Sequence, residues 1–223
     1  MRLAALYTGG KDSTYAIYKA ASKGHSVEYL LTVFPQSAES YMYHFPNLHI
    51  TRLQAEAMNI PQLTATSAGV REAELEDLKG LVAKIADRVD GLLTGAIASN
   101  YQRSRIERIC RGFGLEVFAP LWGMDPWALL DELLDAGFEV VITAVNAAGF
   151  DAGWLGRRLD RDAVEDLRWL VERYGISPVG EGGEMESLVL YCPLFERRIE
   201  ILKARKIWRG DSGYLSIEEA RLV

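Results

Sequence analysis

Seven residues, Tyr7-Thr8-Gly9-Gly10-Lys11-Asp12-Ser13, follow directly on the apolar run Leu3-Ala4-Ala5-Leu6. A short buried strand running into a glycine turn and then into a helix is the arrangement they specify. Two adjacent glycines permit positive φ and leave room for a ligand to touch the main chain. The first N–H groups of the helix have no intrahelical partners and face that space. The helix dipole adds partial positive charge there and Lys11 adds a full one, so the turn suits phosphate. It is not a Walker A loop, because only two glycines precede the lysine. A strand–turn–helix corner with a solvated lysine would share the Gly-Gly-Lys. Asp12-Ser13 behind it, at the first βα turn of the chain, favours a nucleotide. Lys11 is expected in an exposed turn, where its loss removes charge and no core packing.

The rest of the first half alternates in the same way. Leu3–Tyr7 reads as a strand and Asp12–Lys23 as a helix closed by Gly24. Val27–Phe34 is a strand halted by Pro35, and residues 47–58 form a helix with Asn47 as N-cap and Ile50, Leu53, Ala57 and Met58 on one side. Gln62–Thr66 is a strand, Val70–Asp87 a charged amphipathic helix, and Gly91–Thr94 a short strand. Ser99–Phe113 is a helix opened by a capping box with Gln102 and closed by Gly114, and Leu115–Ala119 is a further strand. This spacing predicts an α/β fold with a doubly wound parallel sheet over residues 1–122. After Pro120 the rhythm changes. A helix (Pro126–Ala136), a strand (Phe138–Val145), a helix (Asp160–Tyr174), a glycine- and glutamate-rich segment and two β-like runs (Leu188–Cys192, Arg198–Ile207) predict a smaller α+β domain over 123–223.

Composition narrows the partners. The 223 residues carry a net charge of −6, which disfavours nucleic acid as the main partner. Cys110 and Cys192 are far apart and form no C-x-x-C pair, so neither a zinc site nor a disulfide framework is expected. No run of 18 apolar residues spans a membrane. A strand starting at residue 3 leaves no room for a signal peptide, and a cytoplasmic protein is expected. Whether the chain forms a homo-oligomer is left open.

Ligands of an open parallel sheet bind at the carboxyl ends of its strands, where strand order reverses. Four segments should converge there: Thr8–Ser13; the end of the second strand, with Thr32 and Phe34 offering backbone to an adenine ring; Gly95-Ala96 and the following helix start; and the Glu181–Glu186 loop. Gly95 would admit a nucleotide close to the backbone. Tyr101 and Gln102 are better placed for a ligand than Arg105, which a solvated helix face also explains. Tyr43 and His44 lie in an aromatic-rich loop that reads as a packed lid or as a lid bearing ligand contacts. Glu181, Glu184 and Glu186 stand among three glycines. A solvated acidic turn explains the charge, whereas clustered carboxylates also suit Mg²⁺, an ammonium group or a cationic substrate.

Thr8-Gly9-Gly10-Lys11-Asp12-Ser13 resembles the signature of the PP-loop ATPases, with Thr8 in place of the commoner serine. Together with Tyr41-Met42-Tyr43-His44, Gly95-Ala96-Ile97, Tyr101-Gln102-Arg103, Pro120-Leu121-Trp122 and Gly180-Glu181-Gly182-Gly183-Glu184-Met185-Glu186-Ser187, it is similar to the archaeal diphthine–ammonia ligase family. The resemblance runs from residue 3 to about 195, and the glutamate segment is its more specific part. It implies a HUP-type fold and the last step of diphthamide synthesis. ATP adenylates the diphthine carboxylate on elongation factor 2, and ammonium displaces AMP. It also implies that Thr8, Gly9, Gly10, Lys11, Asp12, Ser13, Thr32, Phe34, Gly95 and Ala96 hold ATP, with Asp12 on Mg²⁺. Lys11, Asp12, Ser13, Glu184 and Glu186 would be catalytic. Tyr43, His44, Tyr101, Gln102, Arg105 and the three glutamates would face the acceptor. The chain ends after its second domain and has no glutaminase domain, so free ammonium is the expected nitrogen source. The competing readings are amidation of a small-molecule carboxylate, a non-catalytic ATP-binding module, and a tRNA-modifying PP-loop enzyme. The last is disfavoured by charge and by the lack of paired cysteines.

Overall fold

In a computed structural model of the chain, which describes residues 1–35, 47–67 and 71–223, strand β1 (Arg2–Leu6) sits at the centre of a five-stranded parallel sheet. It is flanked by β2 (Ser26–Pro35) and β4 (Gly91–Leu93), with β3 (Gln62–Ser67) and β5 (Glu116–Phe118) outside, in the order β3-β2-β1-β4-β5. Both faces of β1 are covered, as a parallel sheet requires. Leu3, Ala5 and Tyr7 pack against Tyr15, Ile17 and Ala20 of helix α1 (Lys11–Ser22) and Ala55 and Ala57 of α2 (Thr51–Ala57). Ala4 packs on the other side with Leu75, Leu78 and Val82 of α3 (Arg71–Ala83) and Ile106, Ile109 and Cys110 of α4 (Asn100–Phe113). The chain therefore winds out on one face, returns to the centre and winds out on the other. Strand order reverses between β1 and β4.

Local signals explain most of the boundaries. Ser99 accepts from the Gln102 N–H at 3.4 Å and starts α4, and Gly114, left-handed at φ 67°, ends it. Two boundaries in this half differ from expectation by more than one residue. Helix α3 stops at Ala83 and runs on as tight turns, with Lys84, Ile85 and Arg88 donating three residues back. Asn47 makes no cap bond; a 3₁₀ turn (Leu48–Ile50) intervenes before α2. Its buried carboxamide instead accepts from Ile217 N–H and donates to the Leu215 carbonyl, both at 2.9 Å. The side chain is thus drawn off the helix by unpaired backbone in the second half of the chain.

That second half holds a four-stranded sheet in the order β7-β6-β9-β8: β6 (Glu139–Val145), β7 (Met185–Tyr191), β8 (Ile199–Arg209) and β9 (Ser212–Leu222). Its strand pairs are antiparallel. Strand β9 was not expected, and β7 begins three residues before the expected Leu188. Helices α5 (Pro126–Asp135) and α6 (Arg161–Tyr174) bury Leu129, Leu130, Leu133, Val164, Leu167 and Leu170 in the same cluster that holds Leu3, Tyr15 and Ile17. The two halves share one apolar core. Cys110 and Cys192 are both buried, and burial raises their thiols to about 11 and about 12. They are protonated small hydrophobes. Among the described residues no helix is long and apolar enough to cross a membrane.

Candidate functional site

The turn after β1 is shaped from both halves of the chain. Gly9 has φ +79°, which requires glycine there, whereas Gly10, the N-cap of α1, has an ordinary extended conformation at φ −74°. Gly10 begins α1, and its carbonyl accepts from Thr14 N–H at 3.1 Å and from the Thr14 hydroxyl at 2.9 Å. Asp12 and Ser13 have no intrahelical acceptor for their N–H groups by position. Lys11 N–H donates to the Ser187 hydroxyl of β7 at 3.2 Å, and Val189 N–H donates to the Gly9 carbonyl at 3.0 Å. Thr8 and Ser13 hydroxyls lie 3.2 Å apart. The turn thus abuts the outer edge of the second sheet.

Lys11 differs from expectation. It is only 2% exposed; Nζ donates to Asp12 Oδ2 at 2.8 Å and to the Val179 carbonyl at 2.5 Å. The lysine ties the first helix to the segment before the glutamates, and its stem is core. Among the described residues, Asp12 Oδ1 is buried without a hydrogen-bond partner. Burial raises the Asp12 carboxyl; Lys11 opposes this and Glu181 adds to it.

The turn after β4 lies against the first. A Cβ on Gly95 would stand 2.7 Å from the Asp12 carbonyl carbon and oxygen. The glycine therefore serves backbone-to-backbone packing of the turns after β1 and β4. Ala96 N–H donates to the Thr94 hydroxyl at 3.2 Å.

The three glutamates separate into different tasks. Glu181 Oε1 accepts from Ala98 N–H at 2.5 Å and Ser99 N–H at 2.9 Å, so it reaches across and caps the start of α4. Glu184 folds onto its own loop, accepting from Gly182 N–H at 2.8 Å and Ser177 N–H at 3.2 Å. Glu186 is on β7 rather than in a loop, paired in register with Ala144. Burial pushes its carboxyl up to about 8; Lys11 pulls it down and Asp12 pushes it further up. Glu186 and the turn residues Lys11 and Asp12 thus form one electrostatic cluster.

This makes a pH prediction. The folded state holds the Glu186 proton more tightly than the unfolded chain does. The stability this gives is complete below the ordinary carboxylate range and is lost as pH rises toward 8. A rise from 4.5 to about 8 bounds the loss at roughly 5 kcal/mol. Glu186→Gln should melt like the parent at about pH 5 and be more stable than it at about pH 9. A variant that is less stable than the parent at the higher pH would show that the charged form is the one the fold prefers.

Other expected residues make contacts of their own. The Thr32 hydroxyl is used inside the sheet, donating to the Tyr7 carbonyl at 2.8 Å, and Phe34 sits beneath the Arg52 guanidinium, 5.9 Å away. Arg105 stacks on the Tyr101 ring at 3.6 Å on α4, beside Gln102. Tyr43 and His44 fall outside the described residues. Among the described residues no group of three His, Cys, Asp or Glu side chains could hold a metal ion. Asp12 with its unpartnered oxygen still suits a Mg²⁺ that draws its other ligands from phosphate and water. Ser187 and Gln54 were missed as site residues. Gln54 carried a signal, being a polar residue four positions from both Ile50 and Met58 on the inward side of its helix.

Comparison with known proteins covers both halves. Residues 1–117 match the family profile described as the diphthamide synthase N-terminal domain, and residues 125–223 match the diphthamide synthase C-terminal domain. Proteins named diphthine–ammonia ligase are similar along the whole chain. That of Homo sapiens is 36% identical over 244 residues, covering 100% of this chain and 91% of the relative. That of Bos taurus is 35% identical over 244 residues with the same coverage. That of Schizosaccharomyces pombe is 31% identical over 239 residues, covering 98% of this chain and 39% of a longer relative.

Proposed function

The chain belongs to the diphthamide synthase family, and from that premise we propose that it is an ATP-dependent diphthine–ammonia ligase acting on elongation factor 2. The observation that carries the reading is the Gly9–Ser13 turn at the point of strand reversal, abutted by the strand that bears Glu186. A carboxylate resists attack by ammonia, and converting it to an acyl adenylate supplies a leaving group. The diphthine carboxylate oxygen attacks the α-phosphorus of ATP and pyrophosphate leaves. Ammonia then attacks the carbonyl carbon and AMP leaves with the electron pair of the broken C–O bond.

In this reading the N–H groups of Asp12 and Ser13 would face the charge that builds on the departing pyrophosphate, and the Lys11 ammonium, held between Asp12 and the Val179 carbonyl, would add its charge from its buried position. Such preorganised donors contribute most where water is excluded. Asp12 would hold Mg²⁺, which neutralises phosphate charge and eases approach of an anionic carboxylate. Glu186, with its carboxyl held largely protonated by burial, adds little repulsion toward the triphosphate. Glu184, folded onto its own loop, would shape the acceptor and ammonium side, whereas Glu186 stands beside the turn with Lys11 and Asp12. Glu181 closes that side by joining the glycine-rich loop to α4.

The test is to supply diphthine-bearing elongation factor 2, ATP and ammonium chloride, and to follow amide, AMP and pyrophosphate together. All three should rise in equal amounts and only when every reactant is present. AMP formation with small-molecule carboxylates but never with the protein acceptor would contradict the assignment.

A further inference from the structure

Gln54 stands where the phosphate turn meets the second half of the chain. Its side chain is fully buried on α2, and Nε2 donates to the Gly9 carbonyl at 2.9 Å and to the Val189 carbonyl at 2.8 Å. Both acceptors are carbonyls, so the amide nitrogen must be the atom that faces them. Oε1 then points toward Gly9 Cα, where a Cβ would lie 2.2 Å away. That oxygen is buried and has no hydrogen-bond partner among the described residues. Leaving an acceptor unmade in the interior is unfavourable, and an apolar residue would avoid it. Ile50 and Met58, one turn to either side, show that the helix face accepts apolar side chains.

What Gln54 supplies and they cannot is a hold on one peptide group. Gly9 has left-handed φ, and its carbonyl is free to rotate unless tied. The carbonyl of Gly9 and the N–H of Gly10 belong to one planar trans peptide and point in opposite directions. Tying the carbonyl to Gln54 and Val189 therefore turns the Gly10 N–H the other way. Left untied, the peptide could present its oxygen to the triphosphate instead.

We infer that Gln54 is a positioning residue of the phosphate turn, fixing the Gly9–Gly10 peptide so that its N–H faces the pyrophosphate of ATP. This rests on the reading that the turn binds ATP. Calorimetric ATP titration of the full chain tests it, with melting recorded in parallel. Gln54→Met, close in length and apolar, should bind ATP about tenfold more weakly or worse. Its KM for ATP should rise more than its rate at saturating ATP falls. Gln54→Glu, which turns an acceptor toward two carbonyls, should be weaker still. Ala55→Gly on the same helix should lower the melting temperature and leave ATP affinity alone. ATP binding by Gln54→Met or Gln54→Glu at the parent's affinity would overturn the inference. So would an Ala55→Gly variant that weakens ATP equally. A parent chain that binds no ATP would overturn the functional reading itself.

Discussion

Lys11→Met should slow adenylation by about a hundredfold or more, the scale for removing one charge-stabilising donor. Methionine keeps an unbranched stem in a place where the lysine is 2% exposed, so charge is removed with little change in volume. The fold should also weaken, because the Val179 carbonyl loses its 2.5 Å donor and Asp12 loses its cation. Unpaired buried groups of this kind destabilise by about 1–3 kcal/mol. ATP–pyrophosphate exchange with diphthine-bearing elongation factor 2, measured beside thermal melting, separates the two effects. Exchange at the parental rate would remove Lys11 from the chemistry, and an unchanged melting temperature would remove it from the core.

Gly95→Ala should be as damaging, by a different route. The new methyl would lie 2.7 Å from the Asp12 carbonyl group and 2.8 Å from the Ser13 nitrogen. These are backbone atoms and cannot swing aside as a side chain would. The first turn of α1 must shift away from the turn after β4, and both nucleotide-facing turns move. Overpacking of this sort costs about 1–3 kcal/mol. A displacement of about 1 Å at a reacting centre costs about a hundredfold in rate. Gly112→Ala is the control. It lies within α4 with nothing near its Cβ position, and should be neutral or stabilising by up to about 1 kcal/mol. Equal activity of the Gly95 and Gly112 variants would show that the two turns tolerate separation.

The parallel sheet was legible because the central strands are apolar on both faces and several helices carry their own stop. Gly24 and Gly114 mark two of those ends. The turn after β1 was legible because glycine, lysine and a helix start coincide in one short stretch. The last strand was harder. Gly210, at φ 63°, and Asp211 form the hairpin turn, and Leu215 and Ile217 alternate inward, but the charged residues around them dilute the pattern. Strand β7 was read three residues short because Met185, Glu186 and Ser187 look like the polar loop before them. It is pairing with Val145 and Ala144 that makes them strand. The separate tasks of the three glutamates depend on partners far away in sequence. Ala98 and Ser99 take Glu181, and no spacing within residues 181–186 encodes that contact. For the same reason Lys11 looked solvated, since Val179 lies 168 residues further on.

In the proposed reaction ATP is consumed by transferring AMP onto a carboxylate at the Gly9–Ser13 turn. The most direct test of this transfer is an oxygen-isotope experiment. Elongation factor 2 bearing diphthine with an ¹⁸O-labelled carboxylate is converted with ATP and ammonium, and the phosphorus products are weighed by mass spectrometry. Adenylation predicts that an oxygen of the carboxylate leaves on AMP, so that labelled AMP and amide appear in equal amounts while pyrophosphate stays unlabelled. Label in inorganic phosphate with ADP as the other product, or AMP carrying no label, would contradict it.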